Sequence, residues 1–206
     1  MLFRSGVGLS GLAFAQTAAP HATTREELVK LPPYGNGTLG PGIRSRLIDN
    51  VNGLTVHILE AGYETPNRPL VYLMHGMPEL AYSWRKIMPV LAAAGYHVIA
   101  PDQRGYGRTI GWDPSYDADG NQFRILNMTR DAIGLVYALG YKQVAMVAGH
   151  DAGAPVASWA TLIRPDIFRS ITIMSSPFEG PPALPFNAAN GAPMPKPPMK
   201  IGRAHV

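Results

Sequence analysis

Val147-Ala148-Gly149-His150-Asp151-Ala152-Gly153-Ala154 (VAGHDAGA) is the stretch on which the fold turns. It follows the apolar run from Gln143 to Ala148 and precedes a helix-like segment, Ala152 to Ile163. Its pattern is small-x-nucleophile-x-small-small, a strand-to-helix bend so tight that neighbouring side chains must be nearly absent. The apex residue of such a bend is forced into a strained backbone conformation. Its side chain then projects from the C-terminal edge of the sheet beside a helix N-terminus. The dipole and the free N–H groups there favour an ionised carboxylate. Aspartate is also a favoured N-cap, but a cap does not require glycine or alanine at 149, 152, 153 and 154. Asp151 is therefore read as a nucleophile.

Two loops upstream complete the expected site. His75-Gly76-Met77-Pro78 directly follows the strand-like Pro69 to Met74. A loop at this place can aim the Met77 N–H at the point faced by the Ala152 N–H, and two convergent donors form an oxyanion hole. His75, at a strand end before glycine, is expected to hold the loop by a side-chain hydrogen bond and not to act as base. Gly76, Pro78 and His150 are expected to support the same loop and bend. Pro101-Asp102-Gln103-Arg104-Gly105-Tyr106-Gly107 follows the run His97 to Ala100. Asp102 could be a catalytic acid, but a loop locked by Asp and Arg hydrogen bonds to backbone is the better reading.

Further out, Thr24 and Glu27 have capping-box spacing ahead of Leu28-Val29, so a short helix is expected before Pro32-Pro33. Arg44–Ile48 and Leu54–Glu60 read as strands around the hairpin turn Asn52-Gly53. Ser83–Ala94 has helical spacing through Trp84, Ile87, Met88 and Leu91 and stops at Gly95. Residues 103–122 read as a loop. Phe123–Leu139 reads as an amphipathic helix with apolar residues at 126, 133, 136 and 137, ended by Gly140. Ser170–Ser175 reads as a last strand. Apolar strands alternating with helices predict an α/β fold: a mostly parallel sheet with helices on both faces. Eight prolines in residues 177–198 argue against continued compact structure there.

The chain has 206 residues, 46% apolar and 16% charged, a globular composition for one domain with a real core. It has no cysteine, which excludes disulfides and thiolate metal sites. There is no Lys/Arg cluster for nucleic acid and no apolar run long enough to span a membrane. No metal or cofactor is implied. Gly6 to Ala15 is mildly apolar and ends in an A-x-A-like site at Ala13-Phe14-Ala15, like the back half of a secretory signal peptide. Export to the periplasm or medium is expected, a cytoplasmic protein with a Gly/Ala tail being the alternative. Ile201–Val206 is the translation of ATC-GGA-AGA-GCA-CAC-GTC, and Leu2–Ser5 that of CTC-TTC-CGA-TCT; both look like sequencing adapters. We therefore read the chain as a gene fragment: 1–22 a signal remnant, 23–176 the core, 177–200 a linker or cap entry, 201–206 an adapter-derived tail. Arg4 and Arg203 would then not be native, which lowers the net charge of +4 by those two charges. A stop codon directly after Val206 in the source DNA would refute this.

HGMPELAYSWR, APDQRGYGRT and GHDAGAPVA stand in the order and spacing of the α/β-hydrolase fold, and the chain resembles its epoxide hydrolase branch over residues 44–186. The resemblance implies an Asp nucleophile that opens a small hydrophobic epoxide through an alkyl ester. Asp-nucleophile members also include haloalkane and haloacid dehalogenases. Those resemble Asp-Trp or Asp-Arg at the bend, whereas Asp151-Ala152 supplies neither a halide donor nor a carboxylate clamp. The Trp of many epoxide hydrolases is absent here too. The resemblance further implies two cap tyrosines, a base histidine and its orienting acid on later segments. The only histidine after Asp151 is His205, so this chain is expected not to turn over, and its sheet, short of its last strands, to aggregate. A non-catalytic binding protein on the same core is the competing class. Substrate identity and oligomeric state are not legible.

Overall fold

The computed structural model describes residues 24–178. The proposed signal remnant, the proline-rich stretch from 179 and the adapter-like tail lie outside them. Helix α1 (Arg25–Val29) carries the capping box: Thr24 Oγ1 accepts from the Glu27 N–H, and Glu27 Oε2 accepts from the Thr24 N–H. Strands β1 (Ile43–Val51) and β2 (Leu54–Ala61) form an antiparallel hairpin. Asn52 and Gly53 both have positive φ (49° and 81°), the requirement of a tight type I′ turn. β3 (Leu70–Met74), β4 (His97–Pro101), β5 (Met146–His150) and β6 (Ile171–Met174) complete a six-stranded sheet in the order β1-β2-β4-β3-β5-β6. β4-β3-β5-β6 are mutually parallel and β1-β2-β4 antiparallel.

Alternation along β3 shows how the sheet is covered. Leu70, Tyr72 and Met74 join one apolar cluster with Val147, Val156, Ala157, Ala132 and Leu135. Val71 and Leu73 join a second with Trp84, Met88, Val98 and Ala148. Every β3 residue is buried, as expected for a central parallel strand with both faces packed. The first face is closed by α3 (Ile125–Ala138) and α4 (Gly153–Ile163), the second by the 3-10 turn Ala81–Lys86 and α2 (Met88–Ala93).

Three sequence expectations need correction. Ser83–Ala94 is not one helix: Pro89 has no N–H to donate, so it sits in the first turn of α2 and the preceding segment winds as 3-10. Ile87 is exposed while Trp84 and Met88 are buried. α3 begins two residues late because Arg124 is extended (ψ 142°), and Phe123 packs edge-on to Trp112 instead. Its buried stripe is Thr129, Ala132, Leu135 and Val136. Leu126 and Tyr137 are exposed, and Tyr137 accepts a hydrogen bond from Arg164 at 2.9 Å. Finally, β5 runs through Gly149 to His150, because pairing with β3 and β6 continues up to the bend.

Candidate active site

The parallel strands β3 and β5 end side by side, Met74 opposite Gly149, so the loops that follow them meet. Asp151 comes first after β5 with φ 47°, in the left-handed region a non-glycine residue rarely adopts. Its N–H donates to the Met174 carbonyl of β6 at 3.0 Å and its carbonyl accepts from the Ala154 N–H at 3.0 Å. The N-cap of α4 is Ala152, with no side-chain cap bond. The Asp151 carboxylate therefore does not close its own helix.

The small residues around it are steric requirements. A Cβ on Gly149 would lie 2.5 Å from the Gly153 carbonyl oxygen and 2.7 Å from Ala154 Cα. A Cβ on Gly153 would lie 2.6 Å from both the Met74 and His75 carbonyl oxygens. A Cβ on Gly76 would lie 2.6 Å from Asp151 Cβ and 3.0 Å from its Oδ1. The bend and the β3 loop thus approach to backbone contact.

Across that contact the Met77 N–H donates to Asp151 Oδ1 at 2.9 Å. This bond, then the Ala152 N–H and the neighbouring His150, hold the carboxyl below the ordinary aspartate range. Asp151 is solvent-accessible and ionised at neutral pH.

The β3 loop is fastened at two points. His75 is fully buried; its Nδ1 meets the Gly76 carbonyl at 2.8 Å and its Nε2 accepts from the Gln103 N–H at 3.0 Å. Burial lowers its pKa, outweighing the Gly76 bond that raises it, and the acceptor role of Nε2 requires a neutral ring. Glu79 Oε2 accepts from the Gly76 N–H at 3.0 Å and meets His150 Nδ1 at 3.0 Å. The Gly76 N–H, followed by His150, lowers the Glu79 pKa. One carboxylate oxygen thus ties the loop to the residue preceding Asp151. Met77–Pro78 is a cis peptide bond, and the Glu79 N–H donates to the Gly76 carbonyl. Glu79 and Gln103 were not singled out in the sequence; a glutamate three residues after a loop glycine was the available signal.

Asp102 is fully buried away from this cluster of bonds. It accepts from Tyr34 Oη at 2.6 Å, the Ala81 N–H at 2.9 Å and the Arg108 N–H at 3.0 Å, and lies 2.8 Å from His57 Nδ1. Burial pushes its pKa up, but the His57 contact, Tyr34 and the Arg108 N–H outweigh it and hold the carboxyl down. Arg104 is also buried and makes a two-pronged pair with Asp131, both contacts at 2.8 Å. These partners lock the β4 loop.

Residues 69–201 match the family model described as alpha/beta hydrolase fold. Epoxide hydrolase A of Mycobacterium tuberculosis (strain ATCC 25618 / H37Rv) is 43% identical over 134 residues, 64% of this chain and 38% of its own length. An epoxide hydrolase of Caballeronia sordidicola is 42% identical over 127 residues, 62% of this chain and 36% of its own. The solved epoxide hydrolase from an endophytic Streptomyces superposes with a TM-score of 0.59 at 41% identity, covering 68% of this chain and 39% of that one. The chain thus spans less than two fifths of the length of these relatives. Sheet order, the bend after β5 and the matched sequence agree: the chain belongs to the α/β-hydrolase fold family, on its epoxide hydrolase-like side.

Proposed function

We propose that this chain carries the nucleophile and oxyanion hole of an epoxide hydrolase, acting on a small hydrophobic epoxide. Asp151 Oδ2 attacks a ring carbon; the C–O bond of the strained ring breaks, and an alkyl ester forms at Asp151. Oδ1, already bonded to the Met77 N–H, becomes the ester carbonyl oxygen. Water then adds to the carbonyl carbon, and the negative charge develops on the atom bonded by the Met77 N–H, with the Ala152 N–H beside the same carboxyl as second donor. Collapse expels the diol and regenerates the carboxylate. The single observation that carries this reading is the 2.9 Å bond from a loop N–H to a carboxylate that does not cap its own helix.

Ring protonation and water activation are assigned to segments beyond residue 178. Among the described residues, His57, His75 and His97 are buried and engaged by Ser45, by Gly76 and Gln103, and by Tyr141 and Glu60 respectively, and His150 is engaged by Glu79. Displacement of halide by the same carboxylate is the second chemistry open to Asp151, but Ala152 brings no side-chain donor for a halide, and the relatives reported above are named epoxide hydrolases. Export is proposed on residues 6–15 alone.

Incubation of the chain with styrene oxide, followed by peptide mapping, tests the reading. An ester on Asp151 that is absent from Asp151→Asn supports it. A chain that forms no adduct at 151 while remaining folded refutes it.

A further inference from the structure

A second side-chain constellation lies on the hairpin and takes no part in the chemistry above. Ser45 Oγ lies 2.7 Å from His57 Nε2. His57 Nδ1 lies 2.8 Å from Asp102 Oδ2, a close contact whose angle falls short of a hydrogen bond. Ser45 pairs with Leu59 and Leu47 with His57 across β1 and β2, so Ser45 and His57 are diagonal neighbours on one face of the sheet. Ser45 is exposed, His57 is 1% exposed and Asp102 is completely buried. The Tyr34 ring stacks on the imidazole at 4.3 Å, and its hydroxyl donates to the other Asp102 oxygen at 2.6 Å. A reachable hydroxyl thus leans on a shielded imidazole, which is backed by a fixed carboxylate. The serine is hydrogen-bonded to the imidazole and the carboxylate stands 2.8 Å behind it, the order of groups that activates a serine.

We propose that Ser45, His57 and Asp102 form a second nucleophilic centre, in which Ser45 takes an acyl group from activated aryl esters. Ser45 Oγ attacks the ester carbonyl carbon while its proton passes to His57 Nε2. The tetrahedral adduct collapses, the bond from carbon to the aryl oxygen breaks, and the phenol leaves with the proton returned from His57. The product is O-acyl Ser45. Asp102 is a positioning residue: its negative charge 2.8 Å from Nδ1 favours the tautomer with the proton on Nδ1 and leaves Nε2 free toward the serine. A good leaving group is required because Ser45 sits mid-strand, without the helix N-terminus that follows Asp151.

The test uses the full chain and 4-nitrophenyl acetate. The expected result is a burst of 4-nitrophenolate approaching one per chain, with acetyl placed on Ser45 by chymotryptic mapping, since Arg44 and Arg46 flank it. Ser45→Ala abolishes the burst. Base assistance contributes about 10²-fold or more, so Ser45 should be acetylated at least about 10²-fold faster than Ser115. That serine is also exposed, but its Oγ donates to Asp113 and has no imidazole. His57→Gln, if folded by circular dichroism, should bring Ser45 down to the rate of Ser115. A burst that survives Ser45→Ala, or acetylation of Ser45 no faster than Ser115 in the unaltered chain, overturns the proposal; the second comparison needs no variant to fold.

Discussion

Gly153→Ala is the sharpest probe of the contact between the bend and the β3 loop. The added Cβ would stand 2.6 Å from both the Met74 and His75 carbonyl oxygens. A carbon meets an oxygen comfortably at about 3.3 Å, so α4 and the end of β3 must part by roughly 0.7 Å. Both obstacles are backbone, so no side-chain rotation relieves them. Overpacking of this kind costs about 1–3 kcal/mol, or roughly 2–12 °C in Tm for a domain of this size. The same movement draws the Met77 N–H away from Asp151 Oδ1. Misplacement approaching 1 Å slows a positioned reaction by about 10²-fold. The assays are thermal denaturation and the rate of Asp151 ester formation with styrene oxide, with Gly120→Ala as control. Nothing lies within 4 Å of a Cβ at Gly120, so its Tm should move by less than about 0.5 kcal/mol equivalent. A Gly153→Ala chain with unchanged Tm and alkylation rate would refute the steric account of the bend.

Three further outcomes follow from the same contacts. Asp102→Ala leaves the Tyr34 hydroxyl and two backbone N–H groups without their acceptor and removes the charge beside His57, and should cost about 3–5 kcal/mol in denaturant titration. Glu79→Ala frees the Gly76 N–H and His150 together; ester formation should slow, and Glu79→Gln, which keeps an acceptor oxygen, should recover part of the rate. In acid, alkylation at Asp151 should stay flat as pH falls through the ordinary aspartate range, near 4, and decline only below it, because its folded pKa is depressed. Decline centred above pH 4 would contradict that. Asp102 and Glu60, also depressed, add stability above the ordinary carboxylate range that is lost as pH falls through their folded values.

The bend was legible because its requirement is local. Positions 149 and 153 leave no room for a Cβ, Ala152 and Ala154 are the next smallest residues, and all four sit where a strand signal gives way to a helix signal. The hairpin was legible through Asn52-Gly53 for the same reason. Helix faces were read less well, because apolar residues outnumber buried positions: Ile87, Leu126 and Tyr137 fit the period yet face solvent. Tertiary packing, not periodicity, selects which of them is covered. Gln103 and Tyr34 were missed since their partners lie in other segments, and Glu79 because its tie to His150 spans 71 residues. Tyr34 and Asp102 are 68 residues apart in sequence, a separation at which single-sequence reading offers no signal. The Ser45–His57–Asp102 line was invisible on the same grounds, as it depends on strand register.

The central claim is that Asp151 bonds covalently to an alkyl carbon and is released by attack at its own carbonyl. A single-turnover reaction with styrene oxide in water labelled with oxygen-18, hydrolysing the ester by added base if it persists, tests this directly. The account predicts the heavy oxygen in the Asp151 side chain and an unlabelled first-turnover diol. Label in the diol with none in the Asp151 peptide would mean that water opens the ring itself, and would contradict the account.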